Sequence, residues 1–201
     1  MTAALRGGDW IGRKLLILGD VNTGKTTLAR GMLADLCRQG LGPQIAIADF
    51  APHIPEALAR ARGLAGIGGD LRPPANHNVL RVADRLDAPR LSSKSEAEAG
   101  EKARRNRVVI EAIFGRLAAE PRPILFLNDV TMYLQAGTAA ALIAQVSGFP
   151  TVVANGYRGE RLGGGELTLR ESAQTAALAL WFEAVGAVIE LPGLPQTGRN
   201  T

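Results

Sequence analysis

The sequence predicts an α/β protein, a three-layer sandwich built on a mainly parallel sheet. Three observations lead there. Short apolar runs alternate with longer segments of helical period, the short runs are apolar on both faces, and the first run passes through a glycine-bearing turn into an amphipathic helix. Strands without a polar face must be covered on both sides, and parallel neighbours must be joined by helical crossovers.

Taken in order, Lys14–Leu18 (KLLIL) reads as a buried strand. The helix after the turn reaches about Gln39, with Leu28, Met32, Leu36 and Cys37 on one face and Gly40 as its stop. Gln44–Ala48 (QIAIA) is a second strand and Pro55–Arg62 a short helix. Gly63–Asn78, rich in Gly, Pro and Asn, is a loop, and Asn78–Ala83 (NVLRVA) a third strand. Ser95 with Glu98 makes a capping box that opens a helix from Glu96 to about Ala119, its apolar face including Val108, Ala112, Ile113 and Leu117. Pro123–Leu127 (PILFL) is the fourth strand, Thr138–Val146 a short apolar helix, and Thr151–Ala154 (TVVA) the fifth strand. A second glycine-rich loop covers Asn155–Leu167. Thr168 and Glu171 repeat the capping pattern and start a helix to about Val185. Ala187–Leu191 (AVIEL) is the sixth strand, so the expected organisation is one domain over 1–192 with a flexible tail at 193–201.

Composition narrows the function classes. With 201 residues, 46% hydrophobic and 21% charged, the chain is globular rather than disordered. Aromatics are only 4%, which argues against a module that stacks single-stranded bases on aromatic rows. The net charge of +4 suits a phosphate-bearing ligand without demanding a nucleic acid. The single cysteine, Cys37, forms no internal disulfide and belongs to the core. The first residues lack the apolar run of a leader, and no stretch reaches the roughly 18–20 apolar residues of a membrane span. A cytoplasmic protein without a membrane partner is expected.

One motif carries chemistry. Gly19–Thr26 reads GDVNTGKT, fitting G-x-x-x-x-G-K-[ST], between the apolar strand and the amphipathic helix that the motif requires. Gly19 and Gly24 let the backbone of Asp20, Val21, Asn22 and Thr23 curl, so that successive N–H groups converge on phosphate oxygens. The helix beginning near Lys25 aims its positive end at the same anion. Lys25 is placed for the β- and γ-phosphates, the Thr26 hydroxyl for Mg²⁺, and Thr27 for the α-phosphate. The string resembles the Walker A loop of the P-loop NTPases, which implies the P-loop fold, ATP and Mg²⁺ as ligands, and chemistry at the β–γ bond.

Within that superfamily two branches are the nearest in resemblance, the polynucleotide 5′-hydroxyl kinases and the Min-type ATPases. Asn22-Thr23-Gly24 looks closer to the kinases, while the extra lysine of the Min-type loop is absent from Gly19-Asp20-Val21. No counterpart of the kinases' flanking domains is found, so a kinase of this sort would be a stripped core. The resemblance implies an acceptor hydroxyl, such as a polynucleotide end, for a phosphotransferase, and water for an ATPase. A nucleotide-dependent binding module with little turnover is the competing class. Asp129, at the tip of the fourth strand, is the expected Mg²⁺ ligand. Asp49, ending the second strand, is an expected metal ligand or base for the nucleophile, and Asn155 the adenine contact that the Min-type resemblance implies. The absence of Asn-Lys-x-Asp at Asn155–Arg158 favours ATP over GTP.

Arg158 and Arg161, in the loop YRGERLGGGE, are lid candidates that would stabilise the transferring phosphoryl group. Lys102, Arg104, Arg105 and Arg107 read as a solvated helix face. Gly66–Asp70 (GIGGD) is too short and lacks the preceding strand of a dinucleotide fingerprint, and His53 and His77 are isolated. Leu180, Trp181 and Phe182 are packing residues, with Trp181 the candidate contact of a homodimer.

Overall fold

The computed structural model describes residues 10–54, 56–61 and 69–193. It contains six strands, β1 (Lys14–Gly19), β2 (Ile45–Asp49), β3 (Leu80–Ala83), β4 (Ile124–Asn128), β5 (Thr151–Tyr157) and β6 (Gly186–Leu191). All pair in parallel in one sheet, in the order β3-β2-β4-β5-β1-β6. The helices are α1 (Lys25–Arg38), α2 (Glu56–Ala61), α3 (Pro89–Ser92), α4 (Glu96–Ala119), α5 (Thr131–Leu134), α6 (Ala139–Val146) and α7 (Glu166–Val185). The α/β sandwich is therefore as the sequence implied, with a sheet that is wholly parallel.

Strand alternation divides the core into two layers. Leu15 and Ile17 of β1 join Trp10, Phe126 and the α1 residues Met32, Leu33, Leu36 and Cys37 on one face. Leu16 and Leu18 join Phe50, Ile110, Ile113, Leu178 and Phe182 on the other, under α4 and α7. Each fully buried leucine among these contributes about 2 kcal/mol by leaving water. Trp181 is half-buried against this second layer, edge-to-face with Phe182 at 5.0 Å, the packing role expected of both, whereas Leu180, expected to pack with them, is 68% exposed. No described helix is long and apolar enough to cross a membrane.

Four local expectations are corrected. The fifth strand does not end at Ala154: Asn155, Gly156 and Tyr157 continue opposite Ile17, Leu18 and Gly19 of β1. The last helix begins at Glu166 after Gly165, and Thr168 lies inside it, its hydroxyl donating back to Gly164 O. On α4, Val108 is 66% exposed and Ala112 is exposed, because the buried stripe runs through Ala99, Ala103, Asn106, Ile110, Ile113 and Leu117. Asn106 can occupy that stripe because its amide both donates to Asp87 O and accepts from Asp87 N. The third strand starts at Leu80 rather than Asn78, whose φ of 52° belongs to a turn. By contrast, Ser95 does cap α4, accepting from Glu98 N, while the Glu98 carboxylate reaches back to Lys94 N. The expected loop at 63–68 and most of the tail lie outside the described residues.

Candidate phosphate-binding site

β1 delivers Gly19 at the C-terminal edge of the sheet, where ligand crevices form in parallel α/β proteins. A side chain at Gly19 has no room, since its Cβ would lie 2.7 Å from Thr23 Oγ1 and 3.0 Å from Leu191 O. The turn then passes through two left-handed residues, Asn22 at φ 60° and Gly24 at φ 92°, the second free of strain only because it is glycine. Inside the loop Val21 N donates to Asp20 Oδ1 (2.6 Å), and Thr23 Oγ1 donates to Asp20 O (2.9 Å). Helix α1 starts with no side-chain cap and no acid in its first turn, so its orphan N–H groups and positive dipole end face the loop uncompensated.

A cavity of about 330 Å³ opens over this helix end, lined by Lys25, Thr26, Thr27, Arg30, Asp129 and Tyr157 among others. Lys25 Nζ donates to Asp20 O at 2.6 Å. Burial lowers the Lys25 pKa from its ordinary value, against the charges of Asp129 and Asp20. An anion entering the cavity would favour its charged form.

The floor is a chain of polar side chains on β2, β4 and β5. Asn128 Nδ2 donates to Asp49 Oδ1 (2.7 Å) and Gly69 O (3.0 Å), while its Oδ1 accepts from Asn155 Nδ2 (2.8 Å) and Thr26 Oγ1 (3.4 Å). Asn155 Oδ1 accepts the backbone N–H of Asp129 (3.1 Å). Asp129 sits at φ 59°, an unusual conformation for a residue with a side chain, and its Oδ1 accepts from Thr131 Oγ1 (2.9 Å). Burial raises the Asp129 pKa, with the Thr131 hydrogen bond and the Lys25 charge opposing.

The structure thus brings Val21, Asn22, Gly24, Lys25, Thr26, Thr27, Asp129 and Asn155 to the lining of one cavity, and leaves Asp49, Arg158 and Arg161 outside that lining. Asp49 is buried, 2% exposed, and accepts from Ala51 N, Asn128 Nδ2, Leu71 N and Arg81 Nη2, two donors to each oxygen. It offers no free lone pair to a metal or a nucleophile. Asn155 lies on the cavity wall, but both ends of its amide are bonded inward, because the strand continues past it and holds it in the sheet. One N–H donor and one oxygen lone pair are engaged there, half of the amide's hydrogen-bonding capacity. Arg158 is ion-paired with Glu190, and Arg161 lines a neighbouring cavity rather than this one. The basic cluster on α4 is largely neutralised on the surface by Glu98, Glu101 and Glu111.

Residues that sequence reasoning passed over complete the surroundings. Arg90 of α3 pairs with Glu171 of α7 at 2.7 Å, and its guanidinium stacks over the Tyr157 ring at 4.7 Å. Gln135 Nε2 also donates to Glu171 (2.8 Å). Asn128 was visible as the neighbour of Asp129, yet nothing local distinguishes a structural asparagine from a turn residue.

For a hard divalent cation, the oxygen donors Thr26 and Asp129 fit. Mg²⁺ characteristically takes one or two protein oxygens and fills the rest of its octahedron with phosphate and water.

Fold and site together define the class: an all-parallel α/β protein whose first strand feeds a glycine loop and an uncapped helix N-terminus beside a strand-tip aspartate. No family model and no curated protein matches the chain. The crystal structure of Pif1 helicase from Candida albicans matches over 91% of this chain at 16% identity and a TM-score of 0.36. This chain spans 37% of the helicase chain's length.

Proposed function

We propose that the chain binds ATP with Mg²⁺ in this cavity and acts on the β–γ phosphate bond. One observation carries the reading: an under-neutralised Lys25, the uncapped start of α1 and the carboxylate of Asp129 converge on a single cavity. The loop amides and Lys25 would hold the phosphates, and Thr26 and Asp129 would hold Mg²⁺, which when bound neutralises charge on the phosphate oxygens. Lys25, whose charged form burial disfavours, gains further anionic partners. Asp129, whose pKa burial raises, gains a cation that favours its charged form. Catalysis of this kind is positioning and charge neutralisation rather than covalent chemistry.

The experiment follows the label of γ-labelled ATP with Mg²⁺, with and without 5′-hydroxyl oligonucleotides. Label on the oligonucleotide identifies a polynucleotide kinase, and free phosphate an ATPase. ATP binding without turnover identifies a nucleotide-dependent binding module. In parallel, Lys25→Ala is expected to abolish the stabilisation by Mg·ATP, about 2.7 kcal/mol at a hundredfold excess over Kd. An equal thermal shift in wild type and Lys25→Ala refutes the site.

A further inference from the structure

A second cavity of about 420 Å³ lies beside the first, walled by Pro89, Arg90, Ser93, Lys94, Arg161 and Leu162 among others. Leu162 lines both cavities, while Tyr157 faces the first and carries Arg90 of the second on its ring. Arg90, Tyr157 and Leu162 are therefore a shared wall.

Two features of this cavity are unexplained by the fold. The Arg90 side chain is only 9% exposed, yet its single hydrogen bond among the described residues runs from Nη2 to Glu171. A guanidinium carries five N–H donors in a fork suited to carboxylate and phosphate, so most of this one's capacity is unused. Among the described residues the buried side-chain atoms without a partner are Ser93 Oγ, Gln135 Oε1 and Thr175 Oγ1, so the unused donors of Arg90 remain accessible to an anion. The second feature is Ser93 Oγ, buried on the same wall without a hydrogen-bond partner. Around them, Lys94 and Arg161 are exposed cations on the rim, and Arg161 has no ion pair among the described residues. One carboxylate, Glu96, also lines the cavity, but its Oε1 accepts from Glu166 N at the first turn of α7. Pro89, Leu91 and Ala99 give the cavity an apolar portion.

We infer that this cavity is a second ligand site, for a phosphomonoester of about mononucleotide size. Its phosphate completes the hydrogen bonding of Arg90 and Ser93 under the rim cations, and its organic part lies on Pro89, Leu91 and Ala99. The volume is within the range of small-molecule pockets. The site's place beside the phosphate chemistry, across the wall of Arg90, Tyr157 and Leu162, rests on the function proposed above; its ability to bind does not.

The test uses calorimetry on the whole chain with Mg²⁺ and a non-hydrolysable ATP analogue already bound. Inorganic phosphate and then 5′-AMP are titrated in. Both are expected to bind saturably, 5′-AMP more tightly. Arg161→Glu should weaken both about tenfold, because it turns a rim cation into an anion, and Ser93→Ala about threefold, because it removes one hydroxyl contact. Neither substitution disturbs a buried pair, and both should leave the affinity for the ATP analogue unchanged. Absence of phosphate and 5′-AMP binding overturns the inference. So does an Arg161→Glu effect that is as large on the ATP analogue as on 5′-AMP, because the cavity would then belong to the nucleotide's own site. If the analogue itself does not bind, the function proposed above fails. Titrating nucleotide-free Lys25→Ala with phosphate and 5′-AMP then reads the second cavity alone: Arg161-dependent binding upholds it, and none overturns it.

Discussion

Glu171 is a carboxylate on which burial and pairing pull in opposite directions. It is 2% exposed and accepts from Arg90 (2.7 Å) and Gln135 (2.8 Å), contacts that favour its charged form. Removal from water favours the neutral form and wins, so that its pKa is pushed up to about 7 from an ordinary 4.5. Between these two values the native state holds more proton than the unfolded chain, so stability falls as pH rises from 4.5 to about 7 and levels off above. The difference, 7 − 4.5 = 2.5 units, corresponds to about 3 kcal/mol at 1.36 kcal/mol per unit. Glu171→Gln keeps the shape and an acceptor for Arg90 but cannot ionise. The variant is expected to match the wild type near pH 4.5 and to exceed it by about 3 kcal/mol at pH 8. Urea melts of both proteins from pH 4.5 to 8 measure the gap, and every other titrating group cancels in the comparison. A variant less stable than the wild type at pH 8 would refute the reasoning, showing that the ion pair with Arg90 outweighs the desolvation of the two charges.

Two further outcomes are expected. Asn128→Ala removes an amide that bonds Asp49, Gly69, Asn155 and Thr26; leaving buried partners unmet should lower stability by about 3 kcal/mol in a denaturant melt, and a loss under about 1 kcal/mol would mean the floor is not held by this amide. Gly24→Ala adds a Cβ that meets nothing within 4 Å at a φ of 92°; the expected loss of about 1–2 kcal/mol is therefore pure backbone strain, together with weaker Mg·ATP binding, and a variant with unchanged melting temperature and nucleotide shift would show that the loop tolerates another conformation.

What the sequence made legible was local. The strand, the glycine turn and α1 could be read because apolar period, positive-φ glycines and the Gly-Lys-Thr string all lie within about 25 consecutive residues. Asp129 was legible for a similar reason, as an acid at the tip of an apolar run. Asp49 and Asn155 looked equally suitable, each a polar residue beyond a strand core, and their actual partners depend on which strands become neighbours. Asp49 stands opposite Asn128 in the β2–β4 register, and β5 lies between β1 and β4, which carries Asn155 to the other side of Asn128. Those adjacencies join residues 79 and 27 positions apart, and no spacing rule reports them.

The same sheet order sets which acid lines the cavity. With β5 between the loop strand and β4, and β2 beyond β4, a carboxylate at the end of β2 is one strand further from Lys25 than one at the end of β4. Asp49 is consequently enclosed by Arg81, Asn128 and two backbone amides, and becomes the anchor that fixes Asn128. Asn128 fixes Asn155, and Asn155 holds the backbone N–H of Asp129 in its left-handed turn. The turn aims the carboxylate at the cavity that Lys25 shares. A neutral amide relay of this kind orients one carboxylate while leaving Lys25 without a bonded anion, and that imbalance is the feature a polyphosphate with its cation would resolve.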